Sequence, residues 1–344
     1  MKKPKISVIL GTYNGERFLW QQLASLAEQT LLPHELVIHD DASTDATVDI
    51  IERFSAQAPF PVRLTRHQRN RGVYENYTLA FRDASGDYIA PCDQDDTWDS
   101  DKLEVLIETL EDGPELAGAV GDARCIDASG SPLPGTVWER LRLTKSEQQL
   151  MTTGQDCSPL LRGNVVSGCR LVFRRRFRDL LLPLSSESFP DYWMAILLQA
   201  AGGLAFVDRS LQSYRIHNNL LGLTVESSAL RNKLTNWRAE NARYYRFSSG
   251  VLERLREHGQ VIEPHTQVLL QQWSDFAKFR AMLPRSAPRR FTAVMGAIAK
   301  SKYCRAQRTR VPSWRYSSTL AGILMDNPLY RRGTINWILD LILG

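Results

Sequence analysis

The sequence predicts an α/β protein: a mostly parallel sheet flanked by helices, followed by a mainly helical C-terminal region. Three observations lead there. Short β-rich runs alternate with amphipathic helical patterns over the first hundred residues, the spacing of βαβ units. The polar clusters Thr12-Tyr13-Asn14, Asp40-Asp41 and Asp93-Gln94-Asp95-Asp96 each follow one of those runs, and open parallel sheets bind ligands at such carboxyl ends. From residue 227 onward, apolar positions recur at helical spacing.

Taken in order, residues 6–10 form an apolar run that ends in a Gly/Asn turn, and a helix through Phe18, Leu19, Leu23 and Leu26 follows. Residues 35–39 are the second strand. Ser43 or Thr44 is placed to cap the next helix, through Val48, Ile50, Ile51 and Phe54. Residues 62–65 read as a third strand and 74–84 as a helix. Gly86 to Ala90 leads into a fourth strand, which stops at the acidic cluster 93–96. Beyond about residue 110 the periodicity loosens. Residues 129–163, rich in Ser, Pro, Gly and Thr, are expected as an elaborated loop region or an acceptor-side insertion. A strand is expected at 164–173, a helix at 191–201, and short strands at 206–207 and 213–216. Helical spacing returns at 229–258 and 265–283. The resulting division is a first domain over 1–226 and a helical region over 227–344.

With 344 residues, 43% of them hydrophobic and 24% charged, the chain can bury a core, which excludes a disordered or low-complexity protein. The net charge of +5 conceals a net of −8 over 1–226 and +13 over 227–344. One part is suited to cations, the other to anions. The five cysteines, Cys92, Cys125, Cys157, Cys169 and Cys304, form no C-x-x-C pair and are expected as free thiols in a reducing compartment. No run approaches the roughly 18–20 apolar residues that span a bilayer, and the lysine-rich N-terminus lacks a cleavage site. The expectation is a cytoplasmic protein.

Asp93-Gln94-Asp95 places two carboxylates one residue apart at a strand end. Such a pair can address one hard divalent cation, Mg²⁺ or Mn²⁺, together with phosphate oxygens; solvated loop acids are the plainer alternative. The stretches Ile6 to Asn14, Leu36 to Asp45 and Gly86 to Trp98 resemble those of family 2 glycosyltransferases, inverting enzymes of the Rossmann-like GT-A fold. The resemblance resumes at 163–222, where Asp191-Tyr192-Trp193 and Ser213 to Asn219 look like the bacterial surface-polysaccharide branch, which includes O-antigen and rhamnosyltransferase-like enzymes. It does not extend over 227–344.

The resemblance implies roles. Thr12 and Tyr13 would line the nucleotide pocket, Asp41 would accept from the base imide N–H, and Asp40 would lie behind it or meet the ribose. Asp93 would touch ribose or sugar and share the metal with Asp95, which would bridge it to the diphosphate. His217 would lie near the metal, and Arg215 would neutralise the diphosphate or pair with a carboxylate. Asp96 would be a supporting group or a helix cap. Arg71 and Asn76 are phosphate or sugar contacts or solvated surface, and Trp98 and Trp193 sugar platforms or core. Transfer also needs a base for the acceptor hydroxyl; the family motif puts it at Asp191, whose place after Pro190 equally suits a helix cap.

The expected donor is a UDP- or dTDP-sugar. The acceptor is a glycan or lipid-linked oligosaccharide, added to once because no processive Gln-x-x-Arg-Trp motif is present. Pro190 and Tyr192 depart from the branch's usual residues, which bears on the acceptor. Between Arg285 and Tyr316 nine Lys/Arg and no Asp/Glu are interleaved with apolar and aromatic residues. That pattern fits a helix at the inner face of the plasma membrane, or a solvated basic face; an oligomer stays open. No nucleic-acid-binding motif accompanies the charge. A phosphoryl-transfer hydrolase would need a nucleophilic Asp where Gly11-Thr12-Tyr13 stands. A non-catalytic nucleotide-sugar or polyanion-binding module is the alternative from another class.

Overall fold

The computed structural model describes residues 3–152, 156–217, 229–283, 289, 292 and 293, and for 229–238 the backbone alone. The strands are β1 (Ile6–Thr12), β2 (Glu35–Asp40), β3 (Val62–Arg66), β4 (Tyr88–Cys92), β5 (Thr97–Trp98), β6 (Gly118–Ile126), β7 (Pro132–Thr136), β8 (Leu171–Arg174) and β9 (Leu204–Arg215). They form one sheet in the order β3-β2-β1-β4-β8-β6-β9-β5, with β7 paired to β6. Pairing is parallel among β1 to β4 and between β6 and β9, and antiparallel around β8.

Register positions the site. Thr12 stands opposite Asp40, and Leu10 opposite Cys92. The carboxyl ends of β1, β2 and β4 are therefore level, and their loops open on one edge. Helices α1 (Leu19–Ala27), α2 (Thr47–Ser55), α3 (Val73–Asp83) and α4 (Lys102–Asp112) link these strands or follow them. In α4, Leu103, Leu106, Ile107 and Leu110 recur at i, i+3, i+4 and i+7 and are all buried in the core with Ile6, Val8 and Leu10. Burying each such side chain stabilises the fold by about 1.5–3 kcal/mol.

Short helices α5 (Val137–Arg140), α6 (Lys145–Thr152), α7 (Ser158–Arg162) and α8 (Arg178–Leu181) precede α9 (Pro190–Gly202), α10 (Ala229–Glu257) and α11 (Pro264–Met282). The chain divides into two compact units: Met1–Gln155 with Asn164–Leu223, and Asp156–Gly163 with Thr224–Gly344. The segment 156–163 thus joins the C-terminal unit. Within that unit the Tyr244 hydroxyl, on α10, donates to the Leu161 carbonyl, and Phe247 and Trp273 meet edge to face at 5.4 Å.

Residues 129–163 hold β7 and three helices; Thr136 and Glu139 form a reciprocal capping box that starts α5. Two local expectations are corrected. Of the strand expected at 164–173 only the end is strand, β8 from Leu171, and a 3₁₀ turn at 168–170 precedes it. Neither Ser43 nor Thr44 caps α2, whose N-cap is Ala46. Ser43 instead bonds Asp40 through both its N–H and its hydroxyl. No described helix is long and apolar enough to cross a membrane. Most of the basic segment from Arg285, together with Asn218-Asn219 and Cys304, lies outside the described residues.

Candidate functional site

The first strand end is tied to the second. Thr12 Oγ1 donates to Asp40 Oδ1 at 2.9 Å, and the Asp41 N–H donates to the Thr12 carbonyl at 2.8 Å. Asp40 is turned inward: it also holds the Ser43 N–H and hydroxyl and is nearly inaccessible. Asp40 therefore braces the loop from behind. Asp41 reaches the other way, where its two oxygens accept the Arg71 and Gly72 N–H groups at 2.7 and 2.9 Å. This shapes the loop that enters α3. A carboxylate has about four acceptor positions, so each Asp41 oxygen retains capacity for one more donor.

Tyr13 is half exposed. Its backbone N–H donates to Gln94 Oε1 at 3.0 Å, and Gln94 Nε2 donates back to its carbonyl at 3.1 Å. The middle residue of Asp-Gln-Asp thus clamps the β1 loop to the β4 loop. Gly15 makes room for it: a Cβ there would lie 2.3 Å from Gln94 Oε1. Asn14, at φ 47°, accepts the Thr44 N–H; asparagine tolerates this left-handed backbone.

Asp93 receives the Tyr77 hydroxyl at 2.9 Å. Burial and the neighbouring Asp95 carboxylate raise its pKa. Asp95 Oδ2 lies 2.7 Å from His217 Nε2, while the Phe18 and His217 rings are tilted at 5.3 Å. Asp96 is buried, and its oxygens accept the Arg215 N–H at 3.0 Å and Gln212 Nε2 at 2.9 Å. It caps no helix; it joins the β4 loop to β9. Burial, then Asp95 and Asp93, push its pKa well up.

Arg215 is committed to the protein. Nε donates to the Asp95 carbonyl, Nη1 to the Asp127 carbonyl and Nη2 to Gln21, with the Phe18 ring 4.5 Å beneath. It braces the loop around Asp95 and forms no carboxylate pair among the described residues. Arg71 pairs with Glu75, and Asn76 Nδ2 holds the His39 carbonyl. Asn76 Oδ1 is buried without a hydrogen-bond partner. Trp193 is core, with Nε1 donating to the Leu181 carbonyl, and the buried Trp98 carries the Lys102 ammonium 3.4 Å above its ring.

Asp191 is the second residue of α9, after Pro190; the N-cap is Phe189, and no side chain caps this helix. The Asp191 carboxylate accepts the Tyr192 N–H at 2.7 Å. It adjoins the 3₁₀ turn: a Cβ on Gly168 would lie 3.7 Å from Asp191 Cβ and 3.9 Å from Pro91 Cβ. Burial, then the Asp93 carboxylate, pushes its pKa up to about 7 against the pull of the Tyr192 N–H, Arg170 and Asn164. Arg170 is a buried cation held by the Gly121 and Val165 carbonyls, 3.8 Å from Asp122.

Among the described residues, two donor sets could take a cation. Ligand atoms of Asp93, Asp96 and Cys169 lie within 4.8 Å of one another. Both Asp96 oxygens are already hydrogen-bonded, burial pushes the Cys169 thiol's pKa well up, and Lys102 supplies positive charge nearby. That set is internally compensated. Asp95 and His217 are partly accessible at 22% and 13% of their side chains; the carboxylate suits Mn²⁺ or Mg²⁺, and the imidazole beside it favours Mn²⁺ of the two. The residues present fit such an ion.

The residues that sequence reasoning missed are Gln94, Lys102, Gln212 and Tyr77. Lys102 left a signal: it shares a helical face with Leu106 and Leu110, at i, i+4 and i+8.

Sheet order and loop chemistry together define an α/β protein of GT-A architecture. Residues 7–181 match the model of Glycosyl transferase family 2, and the chain belongs to that family. An uncharacterized protein of Mycobacterium tuberculosis is 30% identical over 220 residues, 62% of this chain and 59% of the relative. The chain thus spans about three fifths of the length of such relatives. A Bacillus subtilis protein provisionally named as the teichuronic acid biosynthesis glycosyltransferase TuaG is 33% identical over 108 residues, 31% of this chain and 42% of that protein. Among solved structures, the mannosyltransferase PcManGT of Pyrobaculum calidifontis, in complex with GDP-Man and Mn²⁺, superposes with a TM-score of 0.52 at 17% identity. That match covers 94% of this chain and 85% of that one; at this identity it supports the shared fold.

Proposed function

We propose that this chain is a metal-dependent, inverting, non-processive glycosyltransferase. It moves a sugar from a UDP- or dTDP-linked donor to a hydroxyl of a glycan, lipid-linked and part of a bacterial surface polysaccharide. The rhamnosyltransferase-like motifs make an O-antigen chain a fitting acceptor class. The observation that carries the reading is Asp191, a carboxyl at the start of α9 beside the 3₁₀ turn, whose pKa burial and Asp93 raise to about 7. A carboxyl raised in this way is a stronger base than an ordinary aspartate and can take the acceptor's proton as the hydroxyl attacks.

Thr12, Tyr13, Asp40 and Asp41 shape the nucleotide side of the crevice, with Asp40 bracing and Asp41 and Tyr13 offering contacts. Asp95 and His217 would hold Mg²⁺ or Mn²⁺, with Asp93 facing the donor's ribose or sugar, and the ion when bound would neutralise the charge developing on the departing diphosphate. Arg215 acts one step back, fixing the backbone of Asp95. The relative in teichuronic acid biosynthesis supports the polysaccharide setting. The basic composition of 285–316 supports a peripheral place at the cytoplasmic face of the membrane, and the domain division follows from that difference in charge.

The test is a panel of nucleotide sugars scored for metal-dependent thermal stabilisation, then nucleoside diphosphate release with glycan acceptors. Release that requires Mn²⁺ or Mg²⁺ and is lost in Asp95→Ala and Asp191→Ala is expected. Full turnover in both folded variants would refute the assignment, and binding without turnover on any acceptor would favour a non-catalytic module.

A further inference from the structure

We propose that Lys102 is a positioning residue for the metal site: an internal cation that, through Gln212 and Asp96, sets the register in which His217 meets Asp95. The inference rests on the functional reading above.

Lys102 is 1% exposed and lies inside α4. Its Nζ donates to Gln212 Oε1 at 2.6 Å and to the Cys169 carbonyl at 2.5 Å, and sits 3.4 Å over the Trp98 ring. Each of its donors has a destination, and none of these is a carboxylate. An ammonium only donates, so it fixes the amide: Oε1 of Gln212 must face Lys102, which turns Nε2 toward Asp96 Oδ2. Asp96 Oδ1 holds the Arg215 N–H, two residues before His217, and Arg215 Nε holds the Asp95 carbonyl. A buried chain thus runs from α4 to the point where imidazole and carboxylate meet at 2.7 Å.

Removing a buried cation alone leaves the groups it holds uncompensated, here the Gln212 and Cys169 oxygens. Burial brings the Lys102 pKa down to about 8, which keeps the cation at neutral pH. Without it, the Gln212 amide has no fixed sense and Asp96 loses its compensating charge.

The probe is Mn²⁺ on the full chain, read by electron spin-echo detection of ¹⁴N coupling from His217, alongside thermal melting. Wild type is expected to show the coupling, and Lys102→Met to lose it with at least tenfold weaker Mn²⁺ binding. Lys102→Met combined with Asp96→Asn should regain the coupling. The asparagine carbonyl can accept the Arg215 N–H while its amide donates to a reversed Gln212, so no ammonium is needed. Restoration by the double variant supports the proposal even where the single variant fails to fold. Coupling and affinity within twofold of wild type in Lys102→Met would overturn it. So would a double variant that stays uncoupled, or two variants that both fail to fold. Wild-type protein without Mn²⁺ binding or ¹⁴N coupling would instead refute the Asp95–His217 metal reading itself, and the inference with it.

Discussion

Asp191, proposed above as the base, shows how one carboxyl answers to two demands. A base must be ionised to accept the acceptor's proton, so kcat/KM is expected to rise with pH through about 7 and level off above it. Asp191→Asn should lower turnover by roughly 10²–10⁴-fold and erase that limb of the profile, which steady-state rates between pH 5.5 and 9 would reveal. The same raised pKa has a consequence for stability. The folded state binds this proton more tightly than the unfolded chain, whose carboxyl titrates near 3.8. Stability from this group is therefore lost as pH rises from about 4 to about 7. Asp191→Asn should accordingly melt higher than wild type at pH 8, with the gain shrinking as pH falls toward 5. An equal or lower melting temperature at pH 8 would contradict the raised pKa.

Loops joined in pairs, rather than single side chains, form the next scale. The β1 and β4 loops are held by the two Gln94–Tyr13 hydrogen bonds, each contributing about 0.5–1.5 kcal/mol. Gln94→Ala should raise the donor KM several-fold with little change in kcat, measured against nucleotide-sugar concentration. Gly15→Ala should do the same, because its Cβ would displace the Gln94 amide. These elements also show what was legible in advance. Strands β1, β2 and β4 and helices α1 to α3 were readable because apolar periodicity and burial coincide there; the half-exposed β3 was readable from its alternation alone. Strand β6 was not: its sequence Gly-Ala-Val-Gly-Asp-Ala-Arg-Cys-Ile contains two glycines, two charges and no alternation. Those glycines serve packing that only the fold creates, since a Cβ at Gly118 or Gly121 would press on Leu204 or Leu211 at 2.9 or 2.8 Å. Asp93, Asp95, Asp191 and His217 were legible through ordered motifs. Lys102 and Gln212 were not, because a lysine is ordinarily read as solvated and a glutamine as neutral filler.

At the scale of the whole molecule, the charge division near residue 226 and the division of contacts do not coincide. Residues 156–163 belong with the C-terminal unit although they lie in the middle of the acidic half. Within that unit Cys157, Leu160 and Leu161 are buried, and helix α7 packs against α11. A chain ended after residue 226 would strip the cover from these side chains. Exposing each leucine forfeits about 1.5–3 kcal/mol of burial, a large share of the 5–15 kcal/mol that holds a domain folded. Such a chain should aggregate or melt well below the full protein. A chain ended after Leu283 keeps α10 and α11 over α7 and should melt within a few degrees of it. If the shorter chain proved as stable and soluble as the longer one, residues 156–163 would not depend on the C-terminal unit. Adding Leu160→Ser and Leu161→Ser to the chain ended at 226 should recover solubility, because the defect lies in the uncovered apolar surface. The same pair in the full protein should destabilise it. This opposite sign in the two backgrounds, read by thermal melting and sedimentation, separates lost cover from a general weakening of the catalytic unit.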